Sequence, residues 1–201
     1  MLLSDPARRL PRRLGQLFAG LLLYGFSMGL LVRSDLGVIP WDVLHQGVSR
    51  QIGWSLGTVT IAVGVVVLLA WIPLRERPGI GTVSNVVVIG LAVDATLWLL
   101  PPLDGLALRV LFALAGIMLN AVATAAYIGV DLGPGPRDGL MTGLVRHTGG
   151  SVFLVRTSIE VAVVVSGFLL GGTLGVATAV YAVSIGSLVH VLLPRLRVEP
   201  G

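Results

Sequence analysis

Six long apolar stretches constrain the fold of this chain more than any other feature of its sequence. They cover residues 15–33, 55–74, 82–100, 107–130, 152–171 and 175–193. Runs of roughly 18 or more apolar residues match the thickness of a bilayer, where only helices or closed barrels satisfy their backbone polar groups. With 55% hydrophobic and 12% charged residues, the sequence predicts an all-α, polytopic membrane protein with six transmembrane helices.

An internal repeat divides the chain into two related halves. The decapeptide DLGVIPWDVL at 35–44 returns 96 residues later as DLGPGPRDGL at 131–140, and the register continues without a gap. Self-similarity at a fixed spacing is typical of repeated structural units. We therefore predict two membrane repeats, at 15–100 and 107–193, each containing three spans.

An odd number of spans in each repeat would make the second repeat enter the membrane from the opposite side. If the N-terminus is inside, most arginines fall on the cytoplasmic side, as the positive-inside rule requires. The inner set is Arg8, Arg9, Arg12, Arg13, Arg75, Arg77, Arg137, Arg146, Arg195 and Arg197, and the outer set is Arg33, Arg50 and Arg109. The pattern predicts inverted repeats, an Arg-rich cytoplasmic segment at 1–14 and a cytoplasmic tail at 194–201.

The repeated decapeptide predicts a helix break after the first span of each repeat. Gly37 and Gly133 can adopt a positive φ and end the preceding helix. Pro40 and Pro136 suit the first position of a new helix, where the missing N–H group is not needed. Each repeat should therefore contain a short broken or re-entrant helix after its first span.

The segments 38–53 and 134–149 that follow these breaks are too short and too polar to be further spans. Asp42 and Asp138 fall in their first turns, where a carboxylate accepts free N–H groups. One interpretation is that the motif only breaks and caps the chain. The functional hypothesis is that the paired half-helix ends and carboxylates bind an ion or a solute at the repeat interface.

Two further pairs of ionisable residues lie within the spans. Arg156 and Glu160 share one face of the fifth span, either as a self-neutralised structural pair or as a gate or proton-coupled site. Asp94 and His190 occupy matching repeat positions near span ends, which indicates interfacial solvation or a proton relay. Asn85 is more typical of hydrogen bonding between helices than of ligand binding.

The primary site candidates are Asp42, Asp138, Arg156 and Glu160. The secondary candidates are Arg137, Asp94, His190 and Asn85. The chain has no Cys, its three His lack metal-ligand spacing, and no nucleotide-binding or hydrolase motif is present. We therefore expect no enzymatic activity, cofactor or metal. The arginines flank apolar segments instead of forming one basic face, so we expect no nucleic-acid partner.

Four strings of this sequence resemble the YczE/YitT-type group of bacterial integral membrane proteins. They are DLGVIPWDVLHQGVS, RPGIGTVSN, LGPGPRDGLMTGL and RTSIE. The likeness to the YczE branch covers the chain from about Arg12 to Leu193. It implies a multi-pass protein of the bacterial inner membrane and supplies no catalytic residues to carry over.

The sequence is compatible with two functions. The first is a small-solute or ion transporter or exporter with its site at the interface of the inverted repeats. The alternative is a non-transporting scaffold or accessory protein of an envelope or biosynthetic system. The expected partners are the lipid bilayer and an unknown small solute or ion, and a homodimer is plausible because six spans enclose little space.

Overall fold

The computed structural model describes residues 6–198, and the first five and last three residues of the expected cytoplasmic segments lie outside this range. The described chain forms eight helices and no strands. Six of these helices are long and apolar enough to cross a membrane, which confirms the number of long apolar helices expected from the sequence. The helices are α1 (Pro6–Ser34), α2 (Pro40–Ile52), α3 (Leu56–Leu74), α4 (Ile80–Leu99), α5 (Leu106–Ile128), α6 (Pro136–Thr148), α7 (Val152–Leu169) and α8 (Val176–Leu196).

The first helix is longer than the predicted span. It begins at Pro6 rather than near residue 15, so it runs through most of the Arg-rich segment predicted at 1–14. Arg, Leu and Gln are good helix formers, and the helix continues through Pro11, which lies inside it. The part apolar enough to cross a membrane begins at Leu10.

The repeat is visible in the backbone. Helices α2 and α6 begin and end at matching positions, and each has a proline at its start. Both breaks have the same backbone angles, with φ of 52° at Asp35 and Asp131 and of 121° at Gly37 and Gly133. The first left-handed residue of each break is therefore an aspartate, directly after α1 in the first half and three residues after the end of α5 in the second. Aspartate tolerates this conformation better than most residues. The glycine two residues later supplies the second positive φ.

Each break is hydrogen-bonded to the last helix of the other half. Ala177 N–H, in the first turn of α8, donates to the Leu36 carbonyl at 2.9 Å, and Gly81 N–H, in the first turn of α4, donates to the Leu132 carbonyl at 2.8 Å. The first N–H groups of a helix have no acceptor within the helix. The carbonyls of the two breaks supply that acceptor, and the two halves thereby cap each other.

Helices α1 and α5 pack antiparallel through the middle of the structure. Near the start of α1, Arg13 donates to the Val130 carbonyl at 2.8 Å. Near the end of α1, Asp35 pairs with Arg109 of α5 at 3.5 Å. The two breaks consequently lie at opposite ends of the helix bundle.

The helices form two lobes, and each lobe contains two helices from the first half of the chain and two from the second. Lobe 1 contains α1, α4, α5 and α8, and lobe 2 contains α2, α3, α6 and α7. The core of lobe 1 includes Leu17, Leu21, Met28, Leu31, Val93, Ile117 and Val130. Lobe 2 packs around Trp41, Val67 and Trp71.

Helices α3 and α4 join the two lobes on one side. Gly57 of α3 lies so close to the Gly90 carbonyl of α4 that a Cβ would not fit. The Asp94 carboxylate accepts hydrogen bonds from Gly57 N–H at 2.7 Å and from the Ser55 hydroxyl at 2.5 Å. The hydrogen bonds of this carboxylate therefore link the start of α3 to the end of α4.

We expect Asp94→Ala to lower the free energy of unfolding by about 1–3 kcal/mol, because it leaves the Gly57 N–H donor without an acceptor. Thermal unfolding of the detergent-solubilised protein measures this loss. His190→Ala is the matched control, since His190 occupies the equivalent position and makes no hydrogen bond to a described residue; we expect a change within about 0.5 kcal/mol. Equal losses in both variants would contradict this role for Asp94.

Candidate functional site

A cavity of about 480 Å³ lies between the two lobes and is lined by residues from all eight helices. Its volume falls in the range typical of small-molecule sites. Lobe 2 contributes the charged side chains, which are Arg137, Asp138, Arg156 and Glu160. Lobe 1 faces them with the hydroxyl-bearing rings of Tyr24, Tyr127 and Tyr181.

Asp42 lies behind the wall of the cavity, in the first turn of α2. Its side chain is 1% exposed, accepts a hydrogen bond from His45 Nδ1 at 3.1 Å and lies 3.7 Å from Arg137 Nη2. Burial lowers the pKa of His45, although the adjacent Asp42 carboxylate raises it. A buried carboxylate requires a countercharge. Arg137, in the second half of the chain, therefore stabilises the negative charge of Asp42, in the first half.

Arg137 joins the two halves a second time, through its contact with Trp41. The two residues occupy matching repeat positions, and the guanidinium lies 4.8 Å from the centre of the indole ring. Such stacking holds the guanidinium plane while leaving its edge accessible. Within the described part of the chain, the polar contact of Arg137 is the ion pair with Asp42, which at 3.7 Å is too long for a hydrogen bond. Its N–H groups are therefore available to a bound solute.

Asp138 matches Asp42 in the repeat but has a different environment. The side chain is exposed to the cavity, and Tyr127 Oη donates to its Oδ2 at 3.4 Å. The surrounding protein removes bulk water from the carboxylate and raises the pKa of Asp138, while the Arg137 guanidinium opposes this rise. The two predicted site aspartates thus differ, because one is buried behind the wall and the other faces the cavity.

Arg156 and Glu160 form an ion pair on α7. Arg156 Nε lies 3.1 Å from Glu160 Oε1, and the side chains are 60% and 40% exposed. Both residues line the cavity. Neither side chain is buried by the described residues, so both can contact a molecule that occupies the cavity.

Polar residues inside the spans complete the site, and sequence reasoning did not identify the tyrosines among them. Tyr24 packs edge-on against Tyr127 with ring centroids 6.2 Å apart. Tyr181 Oη donates to Asn120 Oδ1 at 2.8 Å. Tyr24 matches Asn120 in the repeat, and Tyr181 matches Asn85. A polar residue at the same place in both copies of an apolar span was the signal that could have found Tyr24 and Tyr181, whereas Tyr127 matches the apolar Leu31 and carried no such signal.

The secondary candidates fall into two groups. Asn85, Arg137 and His190 line the cavity. Asp94 caps α3 at the junction of the lobes and is not among the lining residues. The hydrogen bonds of Asp94 to the start of α3 were not among the roles expected from the sequence, and both Asp94 and His190 stay candidates.

Comparison with known proteins places almost the whole chain in one family. Residues 11–194 match the model of a family of unknown function, DUF6198. The chain is 43% identical to an "Uncharacterized protein" of Haemophilus influenzae over 177 residues, which are 88% of this chain and 81% of that relative. It is 29% identical to the "Uncharacterized membrane protein YczE" of Bacillus subtilis over 180 residues, 89% of this chain and 84% of that relative. The expected resemblance to YczE is confirmed, and no solved structure matches the chain.

We expect Arg137→Gln to lower the free energy of unfolding by about 3 kcal/mol, because it leaves the Asp42 carboxylate buried without a countercharge. The double variant Asp42→Asn/Arg137→Gln should recover much of this loss. Chemical unfolding in detergent measures both. Arg109→Gln removes an exposed ion pair with Asp35 and a long hydrogen bond to the Leu103 carbonyl, so its expected cost is below about 1 kcal/mol. A double variant no more stable than Arg137→Gln alone would show that Arg137 does not compensate Asp42.

Proposed function

The chain belongs to the family of unknown function DUF6198, and from its geometry we propose that it transports a small solute or ion through the cavity between the two lobes. The observation that carries this proposal is the charged lining of that cavity in a multi-pass membrane protein. Ionisable groups within a membrane are costly and are typical of solute pathways. Four of them around one cavity exceed what packing of the helices requires.

We further propose that the two halves are inverted repeats and that α2 and α6 are re-entrant helices. The antiparallel packing of α1 against α5 and the breaks at opposite ends of the bundle support this arrangement. Both termini would then lie on the cytoplasmic side of a bacterial inner membrane. Rocking of one lobe against the other would open the cavity to each side in turn, as in other inverted-repeat transporters.

In this mechanism Arg137 and Asp138 bind the solute, because their polar atoms face the cavity with few partners of their own. Asp42 acts through Arg137, whose orientation it fixes together with Trp41. Arg156 and Glu160 form a gate that opens when either residue exchanges its partner for the solute.

A substrate-independent experiment tests the transport proposal. The chain has no native Cys, so Ala182→Cys introduces a single thiol on the cavity wall. If the cavity opens alternately to both sides, a membrane-impermeant maleimide should modify Cys at 182 in right-side-out and in inside-out vesicles. Mass spectrometry of the intact protein measures the modified fraction.

Val183→Cys is the matched control, because Val183 is the next residue of α8 and is 84% exposed on the outer surface of the helix bundle. A thiol in hydrocarbon does not ionise, so we expect no modification from either side. Modification at 182 from only one side, or from neither, would overturn the transport proposal. A sealed cavity of that kind would favour the scaffold or accessory function instead.

A further inference from the structure

The cavity is closed on one lateral side and open on the other. Helices α3 and α4 pack closely where the lobes meet. Their repeat equivalents, α7 and α8, both line the cavity but do not pack against each other along their lengths. A space between α7 and α8 therefore connects the cavity with the lateral surface of the bundle.

The sequence explains why only one side closes. In α3, Gly57 and Gly64 present no side chain to α4, and small residues permit close packing of helices. The equivalent positions of α7 are Phe153 and Glu160, whose side chains prevent the same approach to α8. The hydrogen bonds that Asp94 makes between α4 and α3 have no counterpart in the second half, since His190 replaces Asp94 and makes no hydrogen bond within the described residues.

The facing side of α8 is correspondingly empty. A Cβ on Gly186 would meet no atom within 4 Å, whereas the equivalent Gly90 is packed against α3. Phe153 is 73% exposed and Val183 is 84% exposed. The outer edge of the opening is thus apolar, and in a bilayer it faces the acyl chains of the lipids.

The inner end of the opening is polar and charged. Two arginines and two acids border the cavity there, Arg137 and Arg156 against Asp138 and Glu160. Balanced charges of both signs complement a group that itself carries both signs. The cavity volume of about 480 Å³ accommodates such a headgroup and leaves a long chain to extend outward between the helices.

We infer that the opening between α7 and α8 is a lateral portal through which a single-chain amphiphile with a zwitterionic headgroup enters the cavity from the bilayer. This inference rests on the proposed transport function and names its substrate class. The headgroup binds Arg137 and Asp138, and the acyl chain lies between α7 and α8. The Arg156–Glu160 pair borders the route of the headgroup.

Photolabelling in vesicles of phosphatidylethanolamine and phosphatidylglycerol tests this inference. The probe is a lysophosphatidylcholine with a diazirine in its acyl chain, and peptide mass spectrometry locates the label. We expect label on the facing sides of α7 and α8. Unlabelled lysophosphatidylcholine should displace it, and glycerophosphocholine, which lacks the chain, should compete about tenfold more weakly.

Gly186→Phe fills the portal without a clash, since the position is open, and should lower this labelling by about tenfold. Ala182→Phe, one turn earlier, is a second blocking variant. Gly15→Phe is the control, because Gly15 is also an open helical position and lies outside the cavity lining; its labelling should be unchanged. Gel filtration verifies that the variants fold.

Label spread evenly over the outer surface, or labelling unaffected by both blocking variants, would overturn the portal. Cross-linking of α7 to α8 of a second copy without label between them would also overturn it, since the opening would then be a dimer interface. Label in the portal with one-sided modification of Cys at 182 would retain the amphiphile site and reject transport. Modification of Cys at 182 from both sides without label in the portal would retain the transport proposal and reject the amphiphile site.

Discussion

Backbone hydrogen bonding at the two helix breaks is the constraint on which the rest of this structure depends. A carbonyl or N–H group that is removed from water without a hydrogen-bond partner costs free energy, so each break depends on partners from the other half. The carbonyls of Leu36 and Leu132 are paired with the first turns of α8 and α4. Because these bonds cross between the halves, the halves interleave into two lobes, and the cavity is the space between those lobes.

Duplication preserved this backbone scheme while the side chains around it diverged. Trp41 and Arg137 occupy one repeat position and stack on each other, where two arginines would repel and two indoles would carry no charge. Gly64 and Glu160 occupy a second matching position. Gly64 lets α3 pack closely against α4, whereas the side chain of Glu160 prevents the same packing of α7 against α8. The divergence therefore concentrates charge on the wall formed by the second half and leaves one lateral side of the cavity open.

Much of the fold could be predicted from the sequence, because spans, breaks and first-turn prolines depend on local patterns that the repeat states twice. The site was only partly predictable. Asp138 was identified from the repeated decapeptide, and Arg156 and Glu160 because charge is rare in apolar spans. Tyr127 resembled an ordinary packing residue, since its repeat equivalent is the apolar Leu31. Its role depends on which helix faces cross the space between the lobes, and that is a property of tertiary packing that no local pattern contains.

The opposite orientation of the two halves is the central claim, and side-specific labelling of matched positions tests it most directly. Ile52 and Thr148 are the last residues of α2 and α6 and are both exposed. In intact cells, an impermeant maleimide should modify Ile52→Cys and leave Thr148→Cys unmodified until the membrane is opened. Modification of both cysteines from the same side would show that the halves are parallel, and the account of an inverted transporter would then be wrong.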